Sequence, residues 1–467
     1  MKRLINQRPD VNGIVEGVIW KQLLLFFFPI VLGTFFQQLY NTADAIIVGK
    51  VVGKEALAAV GGTTGTLISL LVGFFVGVSS GASVLSAQYW GKRDTRTVER
   101  VMVLSLRFSV LIGLLFTLSA LFFPKAIMQI FTNDAALIAE GIKYLRAVSL
   151  SYVCSGFVTV YLSVMRSVER VKMSAAVHCT AVLLNVALNA CFIFGIGPFP
   201  KLGIVGVALA TAITRIIEVL VCLTDSRVNA TLSLHLRDFF THSKSLMHDF
   251  IRFAVPSAAN DIIWGLAFSV YSIILGHLSS DIVAANSVAS VVRNLGTVVC
   301  FGTASSAAII LGKAMGDNRL KEARVYATRF AWLSVWTALA GGVVILACRP
   351  LVLQFMYLYV TVTDVVRSEL STMLYINAYY ILGASVNTML ICGIFRAGGD
   401  VRFGLICDIF AMWGYAVPIG LLCAFVFKIP EMWVYFVLCL DEFVKMPVII
   451  RHYKKGTWLQ NITRQLD

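Results

Sequence analysis

Long apolar runs alternate with short polar segments along the whole chain. A helix of about 20 apolar residues crosses the hydrocarbon core of a bilayer, and twelve runs reach this length. In the first half they lie at about 23–49, 56–89, 101–123, 142–165, 173–195 and 203–224. In the second half they lie at about 253–276, 283–311, 330–348, 370–393, 403–427 and 432–450. The pattern predicts an all-α integral membrane protein with twelve transmembrane helices.

The two halves of this pattern repeat each other. The segment GVSSGASVLSAQYWGKRDTRTVERV starts at Gly77, and GTASSAAIILGKAMGDNRLKEARVY starts at Gly302, so small residues and a basic tail recur at an offset of 225. Pro29 and Pro256 stand near the start of the first and seventh runs. Six spans in each half give equivalent helices the same orientation. We therefore expect two parallel six-helix repeats around a central cavity.

The division into halves follows from the longest polar segment. We expect an N-terminal lobe at 1–224, a cytoplasmic linker at 225–252, and a C-terminal lobe with a tail at 253–467. The linker carries three histidines at intervals of seven and six residues: His235, His242 and His248. This spacing would place them loosely on one face of a surface helix. No carboxylate or cysteine completes a metal-ligand set with them, so a solvated helix is favoured over a metal site.

Composition and charge support the membrane interpretation. Hydrophobic residues make up 58% of the chain and charged residues 14%, against about 25% charged residues in soluble domains. The net charge of +14 comes from 39 Lys and Arg against 25 acids. With the N-terminus inside, the inner segments hold 26 of the basic residues and the outer segments 7. Because cytoplasmic loops carry the excess, we predict a multi-pass inner (cell) membrane protein with both termini cytoplasmic and no nucleic-acid partner.

Motifs for nucleotide hydrolysis and for catalysis are absent from the sequence. Each Gly-Lys pair lacks the Ser or Thr of a phosphate-binding loop, and H-E-x-x-H does not occur. We therefore expect a protein that is not an enzyme, binds no cofactor and uses an ion gradient as its energy source.

Acidic residues inside apolar runs mark candidate sites, because a carboxylate at the bilayer centre costs roughly 2.5–3.5 kcal/mol. Asp44 lies well inside the first span. Gln37, Tyr40 and Asn41 precede it at helical spacing, so the four side chains share one face. This face is a candidate ion or proton site.

Two further acids lie in the second half, Asp261 in the seventh span and Asp408 in the eleventh. Arg293 is the lone charge inside the eighth span. Two interpretations remain open: either acid faces the cavity as part of a second site, or it pairs with Arg293 as a structural ion pair.

Other polar residues in the spans have simpler expected roles. Arg215 and Glu218 are three residues apart, a spacing that allows a local ion pair. In the twelfth span, Asp441, Glu442 and Lys445 are expected to neutralise one another.

Uncharged polar residues occur close together in the fifth and sixth spans. Asn185 and Asn189 are one turn apart, and Thr211 follows in the sixth span. Amide and hydroxyl oxygens can coordinate an ion without carrying charge.

Three segments resemble a known transporter family. They are QQLYNTAD at 37–44 with Val48-Gly49, EALAAVG at 55–61 and FRAGGD at 395–400. Together they resemble the multidrug and toxic compound extrusion (MATE) family, over nearly the whole chain. The resemblance implies two bundles that alternate between inward and outward openings and export substrates in exchange for Na⁺ or H⁺.

The DinF-like branch of that family, which the sequence resembles, implies a cation site in the N-terminal lobe. Asn189 stands where that branch typically has Asp, so Asp44 is left as the obvious acid of this lobe. The implied substrates are small amphipathic organic compounds, often cationic, and we expect a monomer in the bilayer. Carried over by motif, the cation site comprises Asp44, Asn185, Asn189 and Thr211, with Gln37, Tyr40 and Asn41 in the substrate cavity.

Two alternatives remain beside efflux. A flippase of a lipid-linked precursor, known in the same superfamily, requires a strongly cationic lateral cavity, for which Arg293 is the main candidate. An intramembrane enzyme using His178 or Asp408 requires a catalytic constellation, which the sequence lacks.

Overall fold

The computed structural model describes residues 27–33, 35–36, 64–131, 135–228, 232–239, 243–359 and 363–464. All regular secondary structure within these ranges is helical. Nine described helices are long and apolar enough to cross a membrane, and a bent pair makes a tenth. The predicted first span is described only at its beginning.

The described part of the first half contains the start of the first span, four helices of membrane-spanning length and one bent helix pair. The fourth span is bent by 52° at Ser149, so the helical segments before and after this residue lie at an angle to each other. A short helix, Pro124–Phe131, precedes it. The bounds are 27–33 with 35–36 for α1, Thr64–Gly91 for α2, Thr95–Phe122 for α3, Ala135–Val148 with Leu150–Ser167 for α4, Val171–Phe194 for α5 and Ile204–Val228 for α6.

The second half follows a short 3₁₀ turn at Leu236–Phe239. Three of its helices contain π-helical turns or a break, features that often accompany functional sites. The bounds are Lys244–Gly276 for α7, Ser280–Gly316 for α8, Leu320–Tyr359 for α9, Asp364–Thr388 with π-helical Met389–Phe395 for α10, Val401–Asp408 with π-helical Ile409–Ala416 and the turns to Val426 for α11, and Glu431–Leu438 with Asp441–Lys455 for α12.

Four similar turns join the helices at one end of the bundle. Each contains a residue with positive φ: Arg93 at 65°, Glu169 at 67°, Asn318 at 59° and Gly399 at 78°. This conformation is easy for glycine and tolerated by asparagine. Arg93 and Asn318 are 225 residues apart, so the sequence repeat is also a repeat of backbone conformation. We call this end, with the C-terminal segment 456–464, the basic face.

Small residues bring the two halves into contact. A Cβ on Gly81 would lie 2.7 Å from Ala254 of α7, and Gly77 approaches Ala258 even more closely. Close backbone approach of this kind is typical of small residues four apart in membrane helices. Gly302 of α8 is the counterpart of Gly77, and it packs against Val31 of α1. The α2–α7 contact is thus repeated, with the halves exchanged, by α8 and α1.

The hydrophobic cores follow the same plan. One cluster lies in α2, α4, α5 and α6 of the first half, and two others lie in the second half. A further cluster near the basic face is shared, because Phe250 and Phe253 of α7 and Val401 of α11 join residues of α2, α3 and α4. The halves therefore have separate cores and are joined at the basic face.

Candidate functional site

Two of the sequence-predicted site residues meet on α5. Asn185 and Asn189 are both fully buried, and the Asn189 Nδ2 donates a hydrogen bond of 2.9 Å to the Asn185 Oδ1. Thr211 is half-buried on α6, which packs beside α5. Buried amides and a hydroxyl on adjacent helices provide oxygen ligands inside the first half.

The other residues predicted for this site lie outside the described residues. They are Asp44, Gln37, Tyr40 and Asn41. The described part of α1 leads towards α5, because a Cβ on Gly33 would lie 3.8 Å from His178 and from Ala175. His178 is half-buried at this helix contact, in keeping with its place nearer the cytoplasmic end of α5.

In the second half a buried lysine lies between two carboxylates. The Lys445 Nζ is 2.6 Å from the Asp408 Oδ1 and 3.0 Å from the Glu442 Oε1. All three side chains are at most 2% exposed. Asn387 donates hydrogen bonds to the Glu442 Oε2 at 2.8 Å and to its carbonyl oxygen at 2.5 Å. We call Asp408, Glu442 and Lys445 the buried triad.

The structure corrects the alternatives drawn for Asp408 and Arg293. Asp408 pairs with Lys445 of α12 and not with Arg293. The Arg293 guanidinium lies 5.2 Å from the Phe268 ring centre and 5.8 Å from that of Tyr380. Among the described residues no ion pair joins Arg293 to Asp261 or Asp408. Arg293 is thus held over aromatic rings, which can stabilise a cation without a carboxylate.

Asp261 lies on the side of α7 that faces the first half. Ala254, Ala258 and Asp261 follow at spacings of four and three, so they share one face. Asp261 is half-buried and lies within electrostatic range of Arg396 and Asp408. Its Oδ2 has no hydrogen-bond partner among the described residues, and the same holds for the Trp264 Nε1 and the Asn260 Oδ1. Three buried polar atoms on neighbouring turns of α7 are therefore available to water or a ligand.

Two local ion pairs expected from the sequence are present. Arg215 and Glu218 on α6 are 2.7 Å apart, which confirms the expected pair. On α12, Glu442 and Lys445 form the expected neutralising pair. Asp441 is held differently: its Oδ1 accepts the Glu442 backbone N–H at 2.9 Å, and its Oδ2 lies 3.5 Å from the Tyr271 hydroxyl.

The halves are sealed at the basic face by a reciprocal crossing of α2 and α8. Gly91 lies against the Lys313 carbonyl, and Gly316 lies against the Gln88 carbonyl, so close that a side chain at either glycine would collide with backbone. The Lys313 ammonium also forms an ion pair with Glu169, in the turn between α4 and α5. Each contact joins the first half to the second.

The C-terminal segment completes this seal through a buried glutamine. The Gln88 Nε2 donates to the carbonyl oxygens of Ala397 at 2.8 Å and Gln460 at 3.2 Å. The Gln88 Oε1 accepts the Ile462 backbone N–H at 2.9 Å. Gln88 is fully buried, so these bonds satisfy a side chain that water does not reach.

Further contacts hold the end of this segment on the first half. The Lys92 Nζ donates to the Arg464 carbonyl oxygen at 2.9 Å, and the Arg464 backbone N–H donates to the Tyr89 hydroxyl at 3.3 Å. The Arg464 guanidinium lies 3.3 Å from Asp249 of α7. Trp458, earlier in the segment, is 1% exposed and packs in the core of the second half.

One linker histidine does have carboxylate neighbours, which corrects the sequence expectation. Glu99, His235 and Asp238 bring their ligand atoms within 4.8 Å of one another. The Arg96 guanidinium bonds to both carboxylates, at 3.1 Å to Glu99 and 2.6 Å to Asp238. The positive charge that a metal ion would bring to this cluster is thus already supplied by Arg96. His248 lies in α7 and His242 outside the described residues, so the three histidines do not share one surface helix.

Comparison with known proteins identifies the family of this fold. The MatE family model matches the chain twice, at residues 29–191 and 256–422, and each match begins at one of the paired prolines. The chain belongs to the MatE family. Members of this family are transporters rather than enzymes, so this chain is a multi-pass membrane transporter.

Relatives and solved structures cover most of this MatE chain. The probable multidrug resistance protein YoeA of Bacillus subtilis (strain 168) is 25% identical over 406 residues, 86% of each chain. A MOP superfamily transporter from Pyrococcus furiosus has a TM-score of 0.83 at 21% identity, over 93% of this chain and 94% of that one. A multidrug resistance MATE family transporter in an outward-facing conformation has a TM-score of 0.85 at 21% identity, over 95% and 97%. These likenesses confirm the predicted fold of twelve helices in two repeats.

Sequence reasoning on this MatE chain missed two features of the structure. The first is the pairing of Lys445 with Asp408, which depends on how α11 and α12 pack. The second is the role of Gln88, a lone amide near the end of an apolar run. A signal for Gln88 was present, because a polar side chain among small residues at a helix crossing needs partners.

Proposed function

We propose that this MatE transporter exports amphipathic organic compounds, chiefly cations, by alternating access in exchange for Na⁺ or H⁺. The observation that carries the proposal is the way the two halves meet. They are sealed at the basic face by α2 and α8, and the close approach of α2 to α7 ends between Gly77 and Gly73, away from that face. Family membership and the multidrug resistance names of its relatives support the same function.

The end of the close contact is visible along one side of α2. At Gly81 and Gly77 the backbones of α2 and α7 approach closely, whereas a Cβ on Gly73 would reach only the Ile262 side chain, at 3.8 Å. If the basic face is cytoplasmic, as the excess of Lys and Arg there indicates, this conformation is closed to the cytoplasm. Alternating access then requires the α2–α8 crossing to open, with the halves 1–224 and 253–467 moving as lobes about the segment 225–252.

The described part of the interior offers a surface suited to organic cations. Trp264 lies edge-on to Phe268 at 5.6 Å and to Phe301 at 6.2 Å, next to the carboxylate of Asp261. Aromatic faces and a desolvated carboxylate attract lipophilic cations. Asp261 with this aromatic group is the substrate contact that we propose in the second half, together with Gln37, Tyr40 and Asn41 of the first.

For the coupling ion we propose the site in the N-terminal lobe. The Asn185–Asn189 pair and Thr211 supply neutral oxygens, and Asp44 supplies the charge that an ion or proton neutralises. Binding of the ion would change the packing of α1 and bias the lobes towards release of substrate. We place the protein in the cell membrane as a monomer with cytoplasmic termini.

The flippase alternative is less favoured by the charges of the second half. In its described interior, the acids Asp261, Asp408, Asp441 and Glu442 outnumber the bases Arg293, Arg396 and Lys445. A pyrophosphate headgroup requires the opposite balance.

Ethidium efflux from a drug-sensitised host tests this function. Cells expressing the protein should accumulate less ethidium than cells with an empty vector, and ionophores that collapse Na⁺ and H⁺ gradients should remove the difference. Depletion of ATP with the gradients held should leave it intact. Equal accumulation across a panel of lipophilic cations would contradict the proposal.

A further inference from the structure

We infer that Lys445 takes the place of a coupling cation in the second half, so that Asp408 and Glu442 take no part in ion exchange. This inference rests on the proposed function, because it concerns which carboxylates of an ion-coupled transporter bind the ion. The cation of the buried triad is the Lys445 ammonium, which is covalently attached to the protein and therefore permanent.

The contacts of the ammonium group are those expected of a bound cation. Two carboxylate oxygens from two helices lie within 3.0 Å of the Lys445 Nζ. The Trp264 ring covers the site, with its centre 5.3 Å from the same nitrogen. Carboxylates inside the membrane also mark the ion pathways of transporters. The position that such an ion would take is filled by the Lys445 ammonium.

The carboxylates are fixed by the surrounding helices. Asn387 of α10 donates to the Glu442 carboxylate and carbonyl, and Asp408 lies where α11 changes from α-helical to π-helical turns. Burial of all three side chains excludes water that would compete for the carboxylates. Removal of one partner from a buried ion pair leaves an uncompensated charge, which is strongly destabilising. The Lys445 ammonium is therefore expected to stay between the two carboxylates.

The two halves therefore differ in their chemistry. The proposed site in the N-terminal lobe combines Asp44 with two amides and a hydroxyl, and its members include no basic residue. The buried triad brings its own cation, tethered to α12. An ion from solution can enter and leave the first site in each cycle, whereas a tethered ammonium cannot leave the protein. One ion site per transport cycle, in the N-terminal lobe, is the consequence.

Equilibrium binding of radioactive ²²Na⁺ to the purified, full-length protein in detergent tests the inference. In Asp408→Asn and in Glu442→Gln, the amount of Na⁺ bound per protein should equal that of the wild type. In Lys445→Ala, which leaves two buried carboxylates without their cation, binding should rise by about one Na⁺ per chain, because a buried charge needs a partner. Lys454→Ala, a change of an exposed lysine on the same helix, should leave binding unchanged.

A double variant separates a specific site from a general charge effect. Lys445→Met with Asp408→Asn has the same net charge as the wild type but retains one carboxylate, so it should lose the gain seen in Lys445→Ala. Loss of Na⁺ binding in Asp408→Asn or Glu442→Gln, or no gain in Lys445→Ala, would overturn the inference. Size-exclusion chromatography identifies variants that misfold; if Lys445→Ala is one of them, Lys445→Met, the single change matched to the double variant, takes its place and should show the same gain of Na⁺. The Na⁺-binding measurements do not depend on ethidium efflux, so a failure of the proposed efflux function is detected separately, by the ethidium assay.

Discussion

At the scale of single residues, the structure separates acids that are bonded to a lysine from an acid that is not. Asp408 and Glu442 are bonded to Lys445, whereas the Asp261 Oδ2 is buried without a hydrogen-bond partner among the described residues. A buried carboxylate oxygen without a hydrogen-bond partner is uncommon and calls for an explanation, such as a functional role. The proposed substrate contact at Asp261 and the proposed structural role of the buried triad follow from this difference.

Asp261→Asn should weaken transport of cationic substrates more than that of neutral ones. The substitution keeps the shape of the side chain and removes its charge, and loss of a charge-assisted contact corresponds to about 1.5–3 kcal/mol. We expect roughly a tenfold or greater rise in the KM for ethidium efflux, with little change for a neutral hydrophobic substrate. An equal loss for both substrates would assign Asp261 to the structure of the helix bundle.

Asp44→Asn should abolish gradient-driven efflux while the protein remains folded and inserted. In the proposed site this acid supplies the charge that the coupling ion neutralises, and Asn185, Asn189 and Thr211 supply only neutral groups. Reconstituted vesicles with an imposed Na⁺ or H⁺ gradient provide the measurement. Full coupled efflux by this variant would disprove the proposed coupling site.

Asn189→Asp is the matched change in the same site. It adds a second carboxylate next to Asn185, one turn away on α5, where the hydrogen bond between the two amides measures 2.9 Å. We expect a changed ion preference or pH dependence of efflux in the same vesicles, with transport retained. Unchanged ion and pH dependence would place Asn189 outside the coupling site.

At the scale of elements, the C-terminal segment serves as a strap across the basic face. It follows α12 of the second half and bonds to Gln88 and Tyr89 of α2 and to Lys92 in the turn after α2. Opening of the α2–α8 crossing would separate groups that this segment holds together. The segment therefore stabilises the conformation that is closed at the basic face.

Removal of the C-terminal segment from Gln460 onwards, which keeps the buried Trp458, should favour opening at the basic face. It leaves the buried Gln88 amide without two of its partners, and each unsatisfied buried group costs about 1–3 kcal/mol. Hydrogen–deuterium exchange should then speed up in the last turns of α2 and α8, residues 85–91 and 310–316. A chain shortened only by residues 465–467 is the control and should exchange like the wild type. Unchanged exchange in the longer truncation would show that the segment does not hold the seal.

At the scale of the whole molecule, the sequence repeat is also a repeat of the contacts between helices. α2 packs on α7 and α8 packs on α1 through corresponding glycines, and α2 and α8 cross each other at the basic face. In the proposed cycle, two halves related in this way move against each other while their separate cores stay intact. The shared core near the basic face is the part that must rearrange.

Both termini are predicted to be cytoplasmic, and this orientation decides which side the conformation closes. The basis is the ratio of 26 to 7 basic residues on the two sides of the membrane. A fluorescent protein fused to the C-terminus should fluoresce, and a periplasmic phosphatase fused there should be inactive. Phosphatase activity would invert the topology and make the seal an external one.

The sequence by itself determined the membrane class, the repeat and the positions of most spans, because these depend on local properties. Hydrophobic length sets the spans, and the offset between Gly77 and Gly302 sets the repeat. Local ion pairs such as Arg215–Glu218 were predicted for the same reason, since three residues along a helix fix their separation. The bend of α4 at Ser149 and the break in α12 were not predicted, because both lie inside runs long enough to be drawn as single spans.

Only the tertiary structure decided which charges lie together. Asp408 and Lys445 are 37 residues apart, and Gln88 and Ile462 are 374 apart, so no periodicity along the chain connects them. Their contacts depend on the rotation and depth of helices packed side by side. A buried charge takes whichever partner that packing brings within reach, and for Asp408 the partner is Lys445 of α12 instead of Arg293 of α8.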